Sequence, residues 1–148
     1  MIRKIYLDVC ALSRPFDDQS QARIHLETNA VQIILSHIRS TALTMIISPA
    51  HRVESAAIPD QEERSYLELL FQQFGAELEY DAVSVRQRAN TLTNAGMGIA
   101  DAAHVAFAEA ATADFISVDD RLLKQCKRLN VLVWNGTPLA FCDKEELR

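Results

Sequence analysis

Two aspartates stand where short apolar stretches end: Asp8 after Ile5, Tyr6 and Leu7, and Asp119 after Phe115, Ile116 and Val118. A third, Asp101, lies in the first turn of Ile99 to Thr112, a helical stretch that is apolar on nearly every side except Asp101, His104 and Glu109. An unpaired carboxylate there is costly unless a cation or hydrogen-bond donors compensate it. The dipole and free amides of that first turn are the plainer form of compensation. Glu54 is a fourth acid, on a helix opened by Ser48-Pro49. Alone, Glu54 reads as a solvated glutamate and Asp8 equally as a turn former or helix cap. Oxygen-rich sets of Asp and Glu favour the hard cations Mg²⁺ or Mn²⁺, and the absence of paired Cys and His ligands argues against zinc. Such ions activate water and neutralise charge building on a phosphodiester.

The elements that must position these acids alternate between strand and helix. Ile2 to Val9 reads as a strand, followed by a polar loop over Ser13 to Ser20. Gln21 to Arg39 carries Leu26, Ala30, Ile33, Ile34 and Ile38 at helical spacing, with Asp18 or Ser20 available as N-cap. Thr44 to Ile47 is a second buried strand, and the helix bearing Glu54 follows. Asp60 with Glu63 forms a capping box for a helix that turns Leu67, Leu70, Phe71 and Phe74 inward and ends at Gly75. Glu77 to Tyr80 is a short edge strand. Ser84 with Gln87 caps a helix running to about Ala95, before Gly96 and Gly98 punctuate the chain. After the Asp101 helix come a strand over Phe115 to Val118, a helix over Arg121 to Arg128 capped by Asp120, and a strand over Val131 to Val133. The tail after Pro138 gives no clear signal. This alternation implies a mostly parallel sheet covered on both faces, whose ligands bind beyond the carboxyl ends of the strands where strand order reverses.

At 148 residues and 49% hydrophobic, the chain suits one domain with a sizeable core. Met1 to Val9 does not read as a signal peptide, and no apolar run approaches the roughly 18 residues needed to span a bilayer. A soluble, cytoplasmic protein is expected, with no membrane association. Cys10, Cys126 and Cys142 are odd in number and widely spaced, so neither a disulfide framework nor a zinc knuckle is indicated. A net charge of −5 argues against a nucleic-acid coat protein with a broad basic face. It is compatible with an enzyme that recruits phosphate through metal and a few local arginines.

Together these positions resemble the PIN-domain family, in particular the VapC-type toxins of toxin–antitoxin pairs, over essentially the whole chain. The resemblance rests on Tyr6-Leu7-Asp8-Val9-Cys10-Ala11-Leu12, on Ile99-Ala100-Asp101-Ala102-Ala103-His104-Val105-Ala106, and on Ala113-Asp114-Phe115-Ile116-Ser117-Val118-Asp119-Asp120-Arg121-Leu122. The family commonly shows an Asp-Ala-x-His-x-Ala helix, then a strand ending in Thr or Ser, any residue, then Asp. Ile46-Ile47-Ser48 and the helix of Glu54 match where it places its second acid. The chain departs from the family in having Val9 and Cys10 where a small hydroxyl residue and then Asn or Ser usually follow the first acid.

The resemblance implies a three-layer α/β/α sandwich and a single nuclease domain over 1–148. It implies a Mg²⁺- or Mn²⁺-dependent endoribonuclease, with Asp8, Glu54, Asp101 and Asp119 as metal-binding catalytic acids. The expected products carry a 5′-phosphate and a 3′-hydroxyl. RNA is the implied substrate, a small antitoxin the implied protein partner, and a homodimer the expected assembly.

Other residues carry two readings each. His104, one turn after Asp101, is a satisfied core histidine, or else a base or a supporting partner of the acids. Arg14, Arg121 and Lys124 are solvated charges or contacts to an RNA backbone, and Arg14 could equally meet an acidic partner residue. Cys10 is a small buried hydrophobe or a reactive thiol, and Trp134 is packing. A catalytically inert, partner-binding PIN-like fold is the main rival reading. A phosphoacceptor receiver-like domain is a weaker one, since adjacent acids after the first strand and a lysine ending a late strand are absent.

Overall fold

The computed structural model describes residues 3–40 and 42–148. The part of the first strand expected at Ile2 lies outside them. Five strands form an all-parallel sheet in the order β3-β2-β1-β4-β5: β1 (Arg3–Leu7), β2 (Leu43–Ile47), β3 (Gly75–Glu77), β4 (Asp114–Ile116) and β5 (Asn135–Gly136). The helices are α1 (Val9–Leu12), α2 (Ala22–Arg39), α3 (Pro49–Ala56), α4 (Gln61–Phe74), α5 (Ala82–Asn94), α6 (Ile99–Ala111), α7 (Asp120–Arg128) and α8 (Pro138–Glu145), with a 3₁₀ turn over Arg14–Phe16.

Because side chains alternate along a strand, each strand serves two cores. Ile5, Leu7, Met45, Ile47 and Ile116 pack with Val31, Ile34, Leu67, Phe71 and Phe141 of α2, α4 and α8. Tyr6, Ile46 and Phe115 point the other way, into Val85, Leu92, Ala102, Val105 and Leu122 of α5, α6 and α7. The result is the expected three-layer α/β/α sandwich. Strand order reverses between β1 and β4, so the crevice for a ligand lies beyond Leu7 and Ile116.

Several boundaries differ from the sequence reading. Asp18 turns its carboxylate onto Ser20, and Gln21 stands at the N-cap of α2 without a side-chain cap bond. Asp81, which accepts from the Val83 amide, caps α5 in place of Ser84. The third strand pairs at Gly75–Glu77, where the close fit against Ile47 leaves no room for a Cβ: one built on Gly75 would stand 2.7 Å from Ile47 Cδ1. The last strand is Asn135–Gly136, four residues beyond the start of the valine run at 131–133, and Val131 and Val133 pack into the α6 side of the core instead. Thr137 caps an unexpected final helix with Pro138 in its first turn, and Phe141 of that helix fills the α2 side of the core. Trp134 packs edge-on against Phe141, as expected of a packing residue. No described helix is long and apolar enough to cross a membrane.

Candidate functional site

Asp8 follows the last residue of β1, and its amide bonds the Ile116 carbonyl at the end of β4, 3.1 Å away. It therefore stands at the point of strand reversal. It is buried, caps α1 by accepting from the Ala11 amide, and accepts the Cys10 thiol at 2.9 Å. Burial raises its pKa, while the Cys10 and Ser117 side chains, the Ala11 amide and His104 oppose that rise. The Cys10 thiol thus supplies a polar contact to the first acid where the resemblance has Asn or Ser. Burial, the Asp8 charge and the bond to Asp8 hold that thiol strongly in its neutral form, so the reactive-thiol reading finds no support.

Asp101 is half-buried in the first turn of α6. Burial first, then the charges of Asp119, Asp8 and Glu54, raise its pKa, and only His104 counters them. No side-chain or backbone hydrogen bond opposes that rise, so solvent and the first turn of α6 are left to stabilise the ionised form. Asp101 and Asp119 line one polar pocket of about 310 Å³ together with Arg121, Gln125 and Gly98.

Asp119 requires a correction. It, and not Asp120, caps α7, its Oδ1 accepting from the Leu122 amide at 3.2 Å. The Ser117 hydroxyl accepts the Asp119 amide at 3.0 Å, which shapes the turn after β4. Asp120 is the first residue of the helix and is drawn outward by Arg23 of α2. The two helices lie far apart in sequence, so sequence alone gave no signal for the pairing.

Glu54 sits on α3, and its Oε2 accepts from His104 Nε2 at 2.9 Å. On the other ring nitrogen, His104 Nδ1 lies 2.6 Å from the Tyr6 hydroxyl, which lies 2.7 Å from Ser48 Oγ. His104 is thus a buried core histidine and a partner of an acid at once. Beside it, His51 accepts the Ser48 amide on Nδ1 and donates from Nε2 to the Leu7 carbonyl, one residue before Asp8. Burial, with the neighbouring His104, pushes the His51 pKa down to about 3, so this ring is neutral. Tyr6, Ser48 and His51 were not singled out by sequence, since each reads there as ordinary core, strand end or helix.

The three cations named from sequence separate. Arg121 lines the acidic pocket. Lys124 borders a different hollow with Asp120, Lys127 and Trp134. Arg14 is engaged internally, with Glu27 at 2.9 Å and Asp17 at 2.9 Å.

The structure brings Asp8, Asp119 and Glu54 within electrostatic reach of Asp101. Their oxygens are the donors that hard divalent cations prefer, and a bound cation would offset the burial and the neighbouring negative charges that raise the Asp101 pKa. Among the described residues, however, no group of three or more His, Cys, Asp or Glu side chains forms a ready-made metal cage. The donor set fits a Mg²⁺ or Mn²⁺ ion in chemistry.

No protein-family model matches the chain, and no curated protein sequence does. Solved structures do match. A chain of VapBC2 from Rickettsia felis, bound to a DNA fragment from its promoter, superposes with a TM-score of 0.58 at 12% identity, over 90% of this chain and 98% of that one. VapBC-1 from nontypeable Haemophilus influenzae gives 0.57 at 16% identity over 92% and 98%. FitAcB from Neisseria gonorrhoeae gives 0.54 at 14% identity over 91% and 98%. At such identities the likeness is one of fold, and it runs the length of both chains. The resemblance read from Asp8, Asp101 and Asp119 is therefore matched by architecture: the chain has the PIN-like α/β/α fold found in VapBC and FitAB toxin–antitoxin structures.

Proposed function

We propose that the chain is a Mg²⁺- or Mn²⁺-dependent endoribonuclease acting as the toxin of a type II toxin–antitoxin pair. The observation that carries this reading is Asp101, an acid whose proton affinity is raised by burial and by three other carboxylates at the point of strand reversal. Asp8, Asp101 and Asp119 would hold the cation, with Glu54 the fourth ligand. When bound, the ion supplies an activated water and neutralises charge building on the phosphodiester. The chain's own groups do the rest. Cys10 and Ala11 orient the Asp8 carboxylate, Ser117 and Leu122 fix Asp119, and Arg121 stands at the pocket where it can meet an RNA phosphate. The fold shared with toxin–antitoxin structures supports a small antitoxin as partner, and a homodimer remains the proposed assembly.

Cleavage of RNA by the purified chain in the presence of Mg²⁺ or Mn²⁺, abolished by chelator and leaving 5′-phosphate ends, is the expected result. An inert PIN-like partner-binding domain is the second reading, and the lack of a ready-made metal cage favours it. Absence of cleavage with either ion, together with tight binding of a protein partner, would establish that alternative.

A further inference from the structure

A chain of buried hydrogen bonds joins three elements to Glu54. The Glu54 carboxylate accepts, so His104 Nε2 carries the proton and Nδ1 accepts from the Tyr6 hydroxyl. Burial holds the Tyr6 phenol in its protonated form, which keeps it a donor, and Ser48 Oγ in turn donates to Tyr6 Oη. Ser48 is the N-cap of α3, the helix that also bears Glu54, so the chain leaves from the start of that helix, crosses β1 and α6, and returns to it. His51, lying between the two, ties the same helix to the Leu7 carbonyl. Packing alone would not need this: Tyr6 and His51 are fully buried and His104 is 2% exposed, and apolar residues of similar size would fill the space without polar atoms to satisfy.

We infer that His104, oriented by Tyr6 and Ser48, is a positioning residue that fixes the Glu54 carboxyl group and leaves its Oε1 for a divalent cation. This rests on the reading of the acids as metal ligands. The Glu54 side chain is 40% exposed and, without His104, free to sample solvated rotamers. A bond from a buried, doubly anchored imidazole removes that freedom before the ion arrives. Partners that orient metal-binding carboxylates typically affect metal affinity by roughly 10 to 100-fold.

The test is equilibrium titration of the folded protein with Mn²⁺ alone, on wild type, His104→Asn and His104→Gln, each checked by thermal melt. The Gln amide reaches the place of Nε2 and can still donate to Glu54, whereas the shorter Asn cannot. His104→Asn should weaken Mn²⁺ binding by about 10 to 100-fold and His104→Gln by no more than about threefold. A measurement on wild type needs no variant: ring ¹⁵N NMR should show a proton on His104 Nε2 whose resonance moves when Mg²⁺ is added, while the His51 ring stays unmoved. Equal affinity in all three proteins, an equal loss in both variants, or Mg²⁺ binding that leaves His104 unmoved would overturn the inference while sparing the metal reading. Failure of wild type to bind either ion would overturn both.

Discussion

Arg23 grips Asp120 with both terminal guanidinium nitrogens, at 2.7 and 2.8 Å. The same group reaches the Val118 carbonyl at 3.4 Å and the buried Glu27. Arg23 thus meets the neighbours on both sides of Asp119 through exposed or part-buried contacts, while the side chain of Asp119 caps α7 and lines the acidic pocket.

Asp119→Ala should accordingly do two things. Activity should fall by orders of magnitude with the loss of a pocket acid, and stability should fall by about 0.5 to 2 kcal/mol with the loss of the cap. Asp120→Ala removes only an exposed ion pair, which holds Asp120 below the ordinary aspartate pKa, so cleavage and melting should stay close to wild type. Parallel melts and cleavage assays check both, and a cap-sized loss of stability in Asp120→Ala would restore that residue as the cap.

Asp101→Asn should abolish metal-dependent activity and yet stabilise the metal-free protein at neutral pH. The folded pKa of Asp101 is raised, so ionisation costs more in the folded than in the unfolded state. Its penalty is absent below the unfolded aspartate pKa of about 3.9 and grows as pH rises through the folded value. The variant's melting temperature should exceed that of wild type at pH 7, and the difference should vanish near pH 3. A lower melting temperature at pH 7 would mean that Asp101 is compensated by groups other than a cation.

Glu27 is 1% exposed and stands between Arg14 and Arg23. Arg14 and Arg23 keep Asp17 and Asp120 as partners, so Glu27→Ala should lower stability by about 1 to 2 kcal/mol in urea denaturation, the worth of its lost charged hydrogen bonds. Glu27→Gln, which keeps an acceptor for Arg14, should lose less. An unchanged urea midpoint in Glu27→Ala would show that both arginines find solvent instead.

The His51 pKa is depressed to about 3, so its contribution runs opposite to that of Asp101. The stabilisation is present above the unfolded histidine value of about 6.5 and is lost as pH falls toward 3. The His51 ring resonances should therefore not titrate between pH 7 and 5. Titration in that window would mean the ring is not held between the Ser48 amide and the Leu7 carbonyl.

Local signals in the chain located most of this architecture. Alternating strand and helix patterns gave the layers, Ser48-Pro49 and Asp60 opened their helices, and Asp8, Asp101 and Asp119 marked the strand reversal. What escaped was set by contacts distant in sequence. Asp120 had the composition of a cap, but Arg23, 97 positions away, claimed it. Val131 and Val133 had strand-forming side chains, yet Asn135 and Gly136 found the free edge of β4. Glu54 looked like a bare solvated acid because the histidine that binds it is 50 residues on. The closing helix was legible after all in Thr137-Pro138, a cap followed by proline in the first turn.

The central claim is that four acids at the strand reversal gather a divalent cation. Anomalous scattering from crystals soaked in Mn²⁺ tests it most directly. A peak bounded by Asp8, Asp101 and Asp119, with Glu54 on its His104 side, and lost in Asp101→Asn, is the predicted result. No peak at saturating Mn²⁺, or a peak held by other residues and unaffected by Asp101→Asn, would contradict it.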